Sequence, residues 1–67
     1  MVNENLLYEK IKDNGLKLGY IATKLDMSRS TLWKKMSNRT EFTASEISML
    51  SKLLGFSTAD KDMIFFN

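Results

Sequence analysis

Residues 18–36 read LGYIATKLDMSRSTLWKKM, and this stretch decides the fold. Four apolar residues in its first half follow the i, i+3, i+4, i+7 spacing of a buried helical stripe: Leu18, Ile21, Ala22 and Leu25. This spacing predicts a helix from about residue 18 to residue 25. A second helix is predicted to begin after Ser28, whose hydroxyl suits the capping of first-turn amides. It continues through Met36.

The two helices are separated by a turn of about three residues. Ala22 lies in the middle of the first helix, where a small side chain allows the helices to cross closely. Met27 and Leu32 have the spacing of a hydrophobic staple at the start of the second helix. This pattern predicts two locked helices, the second of which projects its N-terminal half outward and fits a DNA major groove.

Three further helices are predicted outside this stretch. The first runs from about Asn5 to Asp13 and ends at Gly15, since glycine accepts a left-handed conformation. The next begins with the capping box Thr43–Glu46 and ends at Gly55. A weaker pattern predicts a short helix from about Ala59 to Phe65, capped by Ser or Thr. The sequence therefore predicts an all-α, compact five-helix bundle.

The length and composition of the chain limit the kinds of function that we expect. A chain of 67 residues is sufficient for one domain, here residues 1–67, with a small core. It has no cysteine and no histidine, which removes the usual zinc ligands and the usual acid–base group. No nucleophile–base pair or glycine-rich phosphate loop is present, so we expect no enzyme, cofactor, metal or small-molecule substrate. The N-terminus lacks a signal peptide, and we expect a cytoplasmic protein without a membrane segment.

The charges are unevenly distributed. Between Lys17 and Arg39 six basic residues accompany one acid, Asp26, which gives +5, while the rest of the chain carries −3 and the whole chain +2. Such a division indicates that the basic segment forms a surface that binds a polyanion, while the rest of the protein is acidic. Chance clustering on a solvated surface is the alternative interpretation.

Together, these features resemble the helix-turn-helix of the phage repressor and Cro family. The matching residues are Ala22, Met27, Leu32, the basic loop at 38–40 and the capped helix TASEISMLSKLLG at 43–55. The last part particularly resembles short regulators of temperate phages of Gram-positive bacteria. The resemblance covers most of the chain and implies a lambda-repressor-like DNA-binding domain, with its motif at about residues 18–37. The chain departs from the family at Asp26, where glycine is usual, and at Lys35, where an apolar residue is usual.

The resemblance also implies a set of DNA contacts. Residues expected at or beside the base edges are Ser28, Arg29, Ser30, Trp33 and Lys34. Residues expected along the DNA backbone are Lys17, Tyr20, Lys24, Lys35, Asn38, Arg39 and Thr40. Arginine and lysine suit the acceptors of guanine, and the remaining amines and hydroxyls suit phosphates. Two alternatives stay open: Arg29 and Lys34 as solvated surface charges, and Trp33 as part of the core.

The second helix of the pair, placed in the major groove, reads only a few base pairs. We therefore expect a homodimer, formed in solution or only on DNA, at a roughly palindromic operator. Phe65 and Phe66 are the expected dimer contact, or else they close the core. The expected function is sequence-specific binding of double-stranded DNA and Cro-like repression of transcription at a phage promoter. The alternative is a protein-interaction module that modulates a partner phage repressor, because fold alone does not guarantee DNA contact.

Overall fold

The helix boundaries follow closely from the capping residues. The computed structural model describes residues 1–66, which form five α-helices and no strand. The helices are α1 (Glu4–Asn14), α2 (Leu18–Lys24), α3 (Arg29–Met36), α4 (Ala44–Leu54) and α5 (Thr58–Phe65). The predicted all-α architecture is confirmed, and each predicted helix is present within one residue of its expected ends.

Polar side chains cap four of the five helices. Asn3, Ser28, Thr43 and Ser57 each accept a hydrogen bond from a backbone N–H in the first turn of the helix that follows. The predicted capping box of α4 is confirmed, and α5 has a second one, in which Asp60 accepts from the backbone N–H of Ser57. That bond is the main reason why the pKa of Asp60 lies below its ordinary value.

The core draws on every helix. Its largest fully buried side chains are Leu7, Ile21, Leu32, Met36, Leu50 and Ile64. Gly15 and Gly55 end α1 and α4 with φ angles of 82° and 69°, a left-handed conformation that costs glycine little. These two ends let the chain reverse, so that α1 packs against both α4 and α5.

Phe65 belongs to this core and is only 5% exposed. Its ring meets Phe42 edge-on at 5.7 Å between centroids and also packs against Phe56. Of the two roles expected for Phe65, the structure supports closure of the core, because the ring is buried within its own chain. Phe66 is 65% exposed and is the member of the pair that remains on the surface.

The N-terminal residues are tied to two distant parts of the chain. The Asn38 side chain accepts from the backbone N–H of Val2 at 2.8 Å and donates to the Val2 carbonyl at 2.9 Å. The backbone N–H of Asn3 donates to the carbonyl of Ile64 at 2.7 Å. Through the N-terminal residues, these bonds link the loop after α3 to the end of α5.

Candidate nucleic-acid interface

The turn between α2 and α3 sets how the two helices meet. Its left-handed residue is Asp26, with a φ angle of 58°, the conformation for which glycine is the usual choice. Aspartate tolerates this conformation better than most residues, so the turn forms without glycine. The backbone N–H of Met27 then donates to the carbonyl of Ala22 at 3.0 Å and closes the turn against α2. As a result, α2 and α3 pack directly against each other.

Two buried residues fix the rotation of α3 about its axis. Leu32 is 1% exposed and Met36 is fully buried, so both face the core. They are four residues apart and lie on one side of the helix. Since Met36 takes the core position, Lys35 is left at the edge of the helix.

Lys35 is engaged within the protein. Its amine donates to a carboxylate oxygen of Glu46 at 2.8 Å and to the backbone carbonyl of Glu41 at 3.1 Å. The Lys35 side chain is only 13% exposed. The expected contact of Lys35 with a DNA backbone is therefore not supported, because its donors hold α3 against the start of α4.

Glu46 is the acid at the centre of this arrangement. Partial burial raises its pKa, but the hydrogen bond and charge of Lys35 and the bonds from Thr43 outweigh that effect. The net result is a pKa below the ordinary value of a glutamate. Glu46 is thus charged at neutral pH and serves the capping box and the ion pair together.

The outward side of α3 is polar. Arg29, Ser30, Trp33 and Lys34 are all exposed, and Trp33 is 45% exposed. This answers the question of whether Trp33 belongs to the core: its ring lies on the surface. Ser30 and Lys34 are four residues apart and share one face of the helix. The four side chains therefore form one surface, which we call the α3 face.

Ser28 has a different position from these four. Its hydroxyl oxygen accepts from the backbone N–H of Thr31 at 3.0 Å, and its proton is donated to the Thr31 hydroxyl at 2.9 Å. Ser28 therefore acts first as the cap of α3. Thr31 is exposed in the first turn of α3 and is the partner of Ser28 in this cap. The sequence predicts no role for Thr31, although its place three residues after a capping serine indicates such a bond.

Arg29 leans toward the start of α2. Its Cδ lies 3.5 Å from the place that a Cβ on Gly19 would occupy, so its aliphatic part lies against the α2 backbone. Lys17 and Tyr20 line the same shallow groove and are exposed. The groove joins the α3 face to the N-terminal end of α2.

The loop after α3 carries the remaining candidates. Asn38 has a φ angle of 62°, as expected for the residue that ends α3, but its side chain is bound to Val2. The amide is therefore engaged within the protein, which does not support the expected contact of Asn38 with a DNA backbone. The N–H groups of Arg39 and Thr40 donate to the carbonyl of Lys34 at 2.9 Å and 3.3 Å. Both residues are exposed beside α3.

The basic segment is largely uncompensated. Among residues 1–66 the ion pairs are Lys10 with Asp60 at 3.3 Å and Lys35 with Glu46 at 2.8 Å. Five cations of the basic segment have no such partner in this part of the chain: Lys17, Lys24, Arg29, Lys34 and Arg39. The Lys24 amine lies 5.5 Å from the centre of the Tyr20 ring. The positive charge on and around α3 is therefore exposed.

Other kinds of site find little support in the part of the chain that the structure describes. No group of three or more acidic residues there is placed to hold a metal ion. None of the helices in that part has the length and apolar character needed to cross a bilayer. Comparisons with protein-family models, with curated proteins and with solved structures found no match for this chain.

Proposed function

We propose that this chain is a helix-turn-helix protein that binds duplex DNA in a sequence-specific manner, with α3 in the major groove. The observation that carries this proposal is the α3 face. Leu32 and Met36 anchor the helix from behind, and its outward side presents exposed polar and basic groups. An α-helix held in this way fits the major groove, where each base pair offers a distinct pattern of donors and acceptors.

Within this proposal, Arg29 and Lys34 recognise base edges. A guanidinium makes two parallel hydrogen bonds to guanine, and a lysine amine reaches the same acceptors. Ser30 shares the face of Lys34 and has a hydroxyl that serves as donor or acceptor. Arg29 and Ser30 lie in the first turn of α3, the part that enters the groove in helix-turn-helix proteins. Lys34 lies in the last turn, one turn further along the face of Ser30.

A second set of groups contacts phosphates. These are the exposed residues that flank the α3 face: Lys17, Tyr20, Lys24, Arg39 and Thr40. Such contacts fix the register of the protein on DNA and make binding depend on salt, because each neutralised phosphate releases a counterion. Lys35 and Asn38 are left out of this set, since the Lys35 amine and the Asn38 amide already take part in hydrogen bonds within the protein.

The biological role that fits this chemistry is repression of transcription, in the Cro-like manner, by occupation of a phage operator that overlaps a promoter. One α3 face spans only a few base pairs, so useful specificity requires two copies about one DNA turn apart on a palindromic site. Phe66 is the exposed aromatic residue next to the end of α5 and the remaining candidate for a dimer contact. If Phe66→Ala leaves self-association and operator affinity unchanged, the contact lies elsewhere.

The direct test removes two cations from the α3 face. Arg29→Ala combined with Lys34→Ala is compared with Lys12→Ala combined with Lys52→Ala, an equal loss of charge from exposed lysines on α1 and α4. We expect the first pair to weaken binding to an operator selected from random duplex DNA at least about tenfold, because each base contact is worth about 1–3 kcal/mol. The control pair should change affinity only slightly.

Equal effects of the two pairs would contradict the proposal, because they would show that only net charge matters. If neither pair affects DNA binding, the interface lies elsewhere. If the wild type shows no sequence-specific binding to duplex DNA, a protein partner such as a phage repressor becomes the next class of target to examine.

A further inference from the structure

Trp33 and Arg39 form a stack on the surface of α3. The guanidinium carbon of Arg39 lies 5.0 Å from the centre of the Trp33 ring, within the range of a cation–π interaction. Both residues are exposed. Trp33 is the only tryptophan of the chain, and 45% of its surface is exposed. The core does not use this ring, so another role must account for its position.

The backbone brings the two side chains together. Asn38 takes a left-handed conformation with a φ angle of 62°, which turns the chain back toward α3. The N–H of Arg39 then donates to the carbonyl of Lys34 at 2.9 Å. The hydroxyl of Ser37 donates to the carbonyl of Trp33 at 2.6 Å and holds the end of the helix. Arg39 is thus fixed next to the ring before any ligand is present.

The stack leaves the donors of Arg39 available. Among residues 1–66 its guanidinium has no acidic partner and makes no side-chain hydrogen bond. A guanidinium is planar and keeps its N–H groups in that plane, where they match two neighbouring acceptor atoms. The indole itself has one N–H donor and no acceptor, so it has little capacity to distinguish bases by hydrogen bonds.

We propose that Trp33 is a positioning residue for Arg39 rather than a reader of bases. The indole ring holds the guanidinium at the edge of the α3 face, where it meets a pair of acceptor atoms on duplex DNA. These acceptors are two oxygens of one phosphate, as proposed above for Arg39, and the test below distinguishes them from the O6 and N7 atoms of a guanine. The inference rests on the proposed function. It adds that Trp33 on α3 and Arg39 in the following loop act together in DNA binding.

A double-mutant cycle on operator affinity tests this coupling. The variants are Trp33→Leu, Arg39→Ala and the two combined, with Trp33→Phe as the conservative control that keeps an aromatic ring. We expect Arg39→Ala to weaken binding about tenfold. Trp33→Leu should weaken it about two- to fivefold, the range of an exposed cation–π interaction. In the Arg39→Ala background, Trp33→Leu should have no further effect, and Trp33→Phe should retain most of the wild-type affinity.

Additive losses would overturn the inference, because they would show that Trp33 contacts DNA independently of Arg39. Thermal unfolding of each variant should change little, since neither side chain is part of the core. An NMR spectrum of the free protein adds a readout of the stack itself. The Cδ protons of Arg39 should be shifted upfield by the indole ring in the wild type and not in Trp33→Leu. Unshifted protons in the wild type would also overturn the inference.

The same variants identify the acceptor on DNA. If Arg39 contacts a phosphate, Arg39→Ala weakens binding to all sequences alike and lowers the salt slope by about one. If it contacts guanine, the variant relaxes the preference at one base pair. Either result supports the coupling when the cycle is non-additive. A wild-type protein that shows the upfield shift but binds no duplex DNA would overturn the proposed function, and this inference with it.

Discussion

Replacement of Glu46 by alanine probes the link between α3 and α4. In the wild type, one carboxylate oxygen of Glu46 accepts from the N–H of Thr43 at 2.9 Å and from the Lys35 amine at 2.8 Å. Glu46→Ala removes both bonds. It also leaves the Lys35 ammonium, whose side chain is 13% exposed, with the carbonyl of Glu41 as its partner.

The expected cost follows from these contacts. Loss of a capping interaction costs about 1 kcal/mol. Loss of a partly buried hydrogen bond between charged groups costs about 1–2 kcal/mol more. The free energy of unfolding should therefore fall by about 2–3 kcal/mol. For a domain of this size, each kcal/mol lowers the melting temperature by about 4–8 °C, so a decrease of about 10 °C or more is expected.

The assay is urea and thermal unfolding of the wild type, Glu46→Ala and Glu46→Gln. Glutamine keeps an oxygen for the N–H of Thr43 and removes the charge that faces Lys35, so it should cost about half as much as alanine. A loss below about 0.5 kcal/mol for Glu46→Ala would refute the reasoning. The ion pair would then behave like an exposed surface pair that solvent screens.

Three other predictions concern the contacts that hold α3 in place. Since the pKa of Glu46 is lowered in the folded protein, its contribution to stability is present above the unfolded pKa of about 4.3 and is lost as pH falls through the folded pKa. Glu46→Gln should therefore flatten the dependence of urea midpoints on pH between about 5 and 3. Asp26→Val should lower the free energy of unfolding by more than about 1 kcal/mol, and Asp26→Gly should not, because the φ angle of 58° disfavours β-branched residues. Equal stabilities in urea would contradict this. Asn38→Gly keeps the left-handed turn but loses both bonds to Val2, so hydrogen exchange at the Val2 amide should become faster, whereas unchanged exchange would show that these bonds do not protect it.

The sequence was sufficient for the helices because their ends are encoded locally. Ser28 and Thr43 cap the helices that follow them, and Gly55 ends α4 in the left-handed conformation, as their residue types predict. The exposed position of Trp33 also follows from helical spacing, since the neighbouring Leu32 takes the core position. These features depend on residues close together in the chain.

The features that the sequence did not reveal depend on distant residues. The bonds of Asn38 join positions 36 residues apart, and the ion pair of Lys35 joins α3 to the capping box of α4. No periodicity encodes either contact, so both residues remained among the expected DNA contacts. The burial of Phe65 depends in the same way on Phe42, which precedes α4. The residue type shows which hydrogen bonds or contacts a side chain is able to make. The fold determines whether those bonds or contacts are already made within the protein.

Selection of binding sites from random duplex DNA, followed by affinity measurements at several salt concentrations, tests the central claim most directly. The account predicts an enriched palindrome whose half-sites are about one helical turn apart. It also predicts a salt slope equivalent to several phosphates, in keeping with the exposed cations around α3. The absence of any enriched sequence, with only weak salt-sensitive binding to all DNA, would contradict sequence-specific recognition by the α3 face.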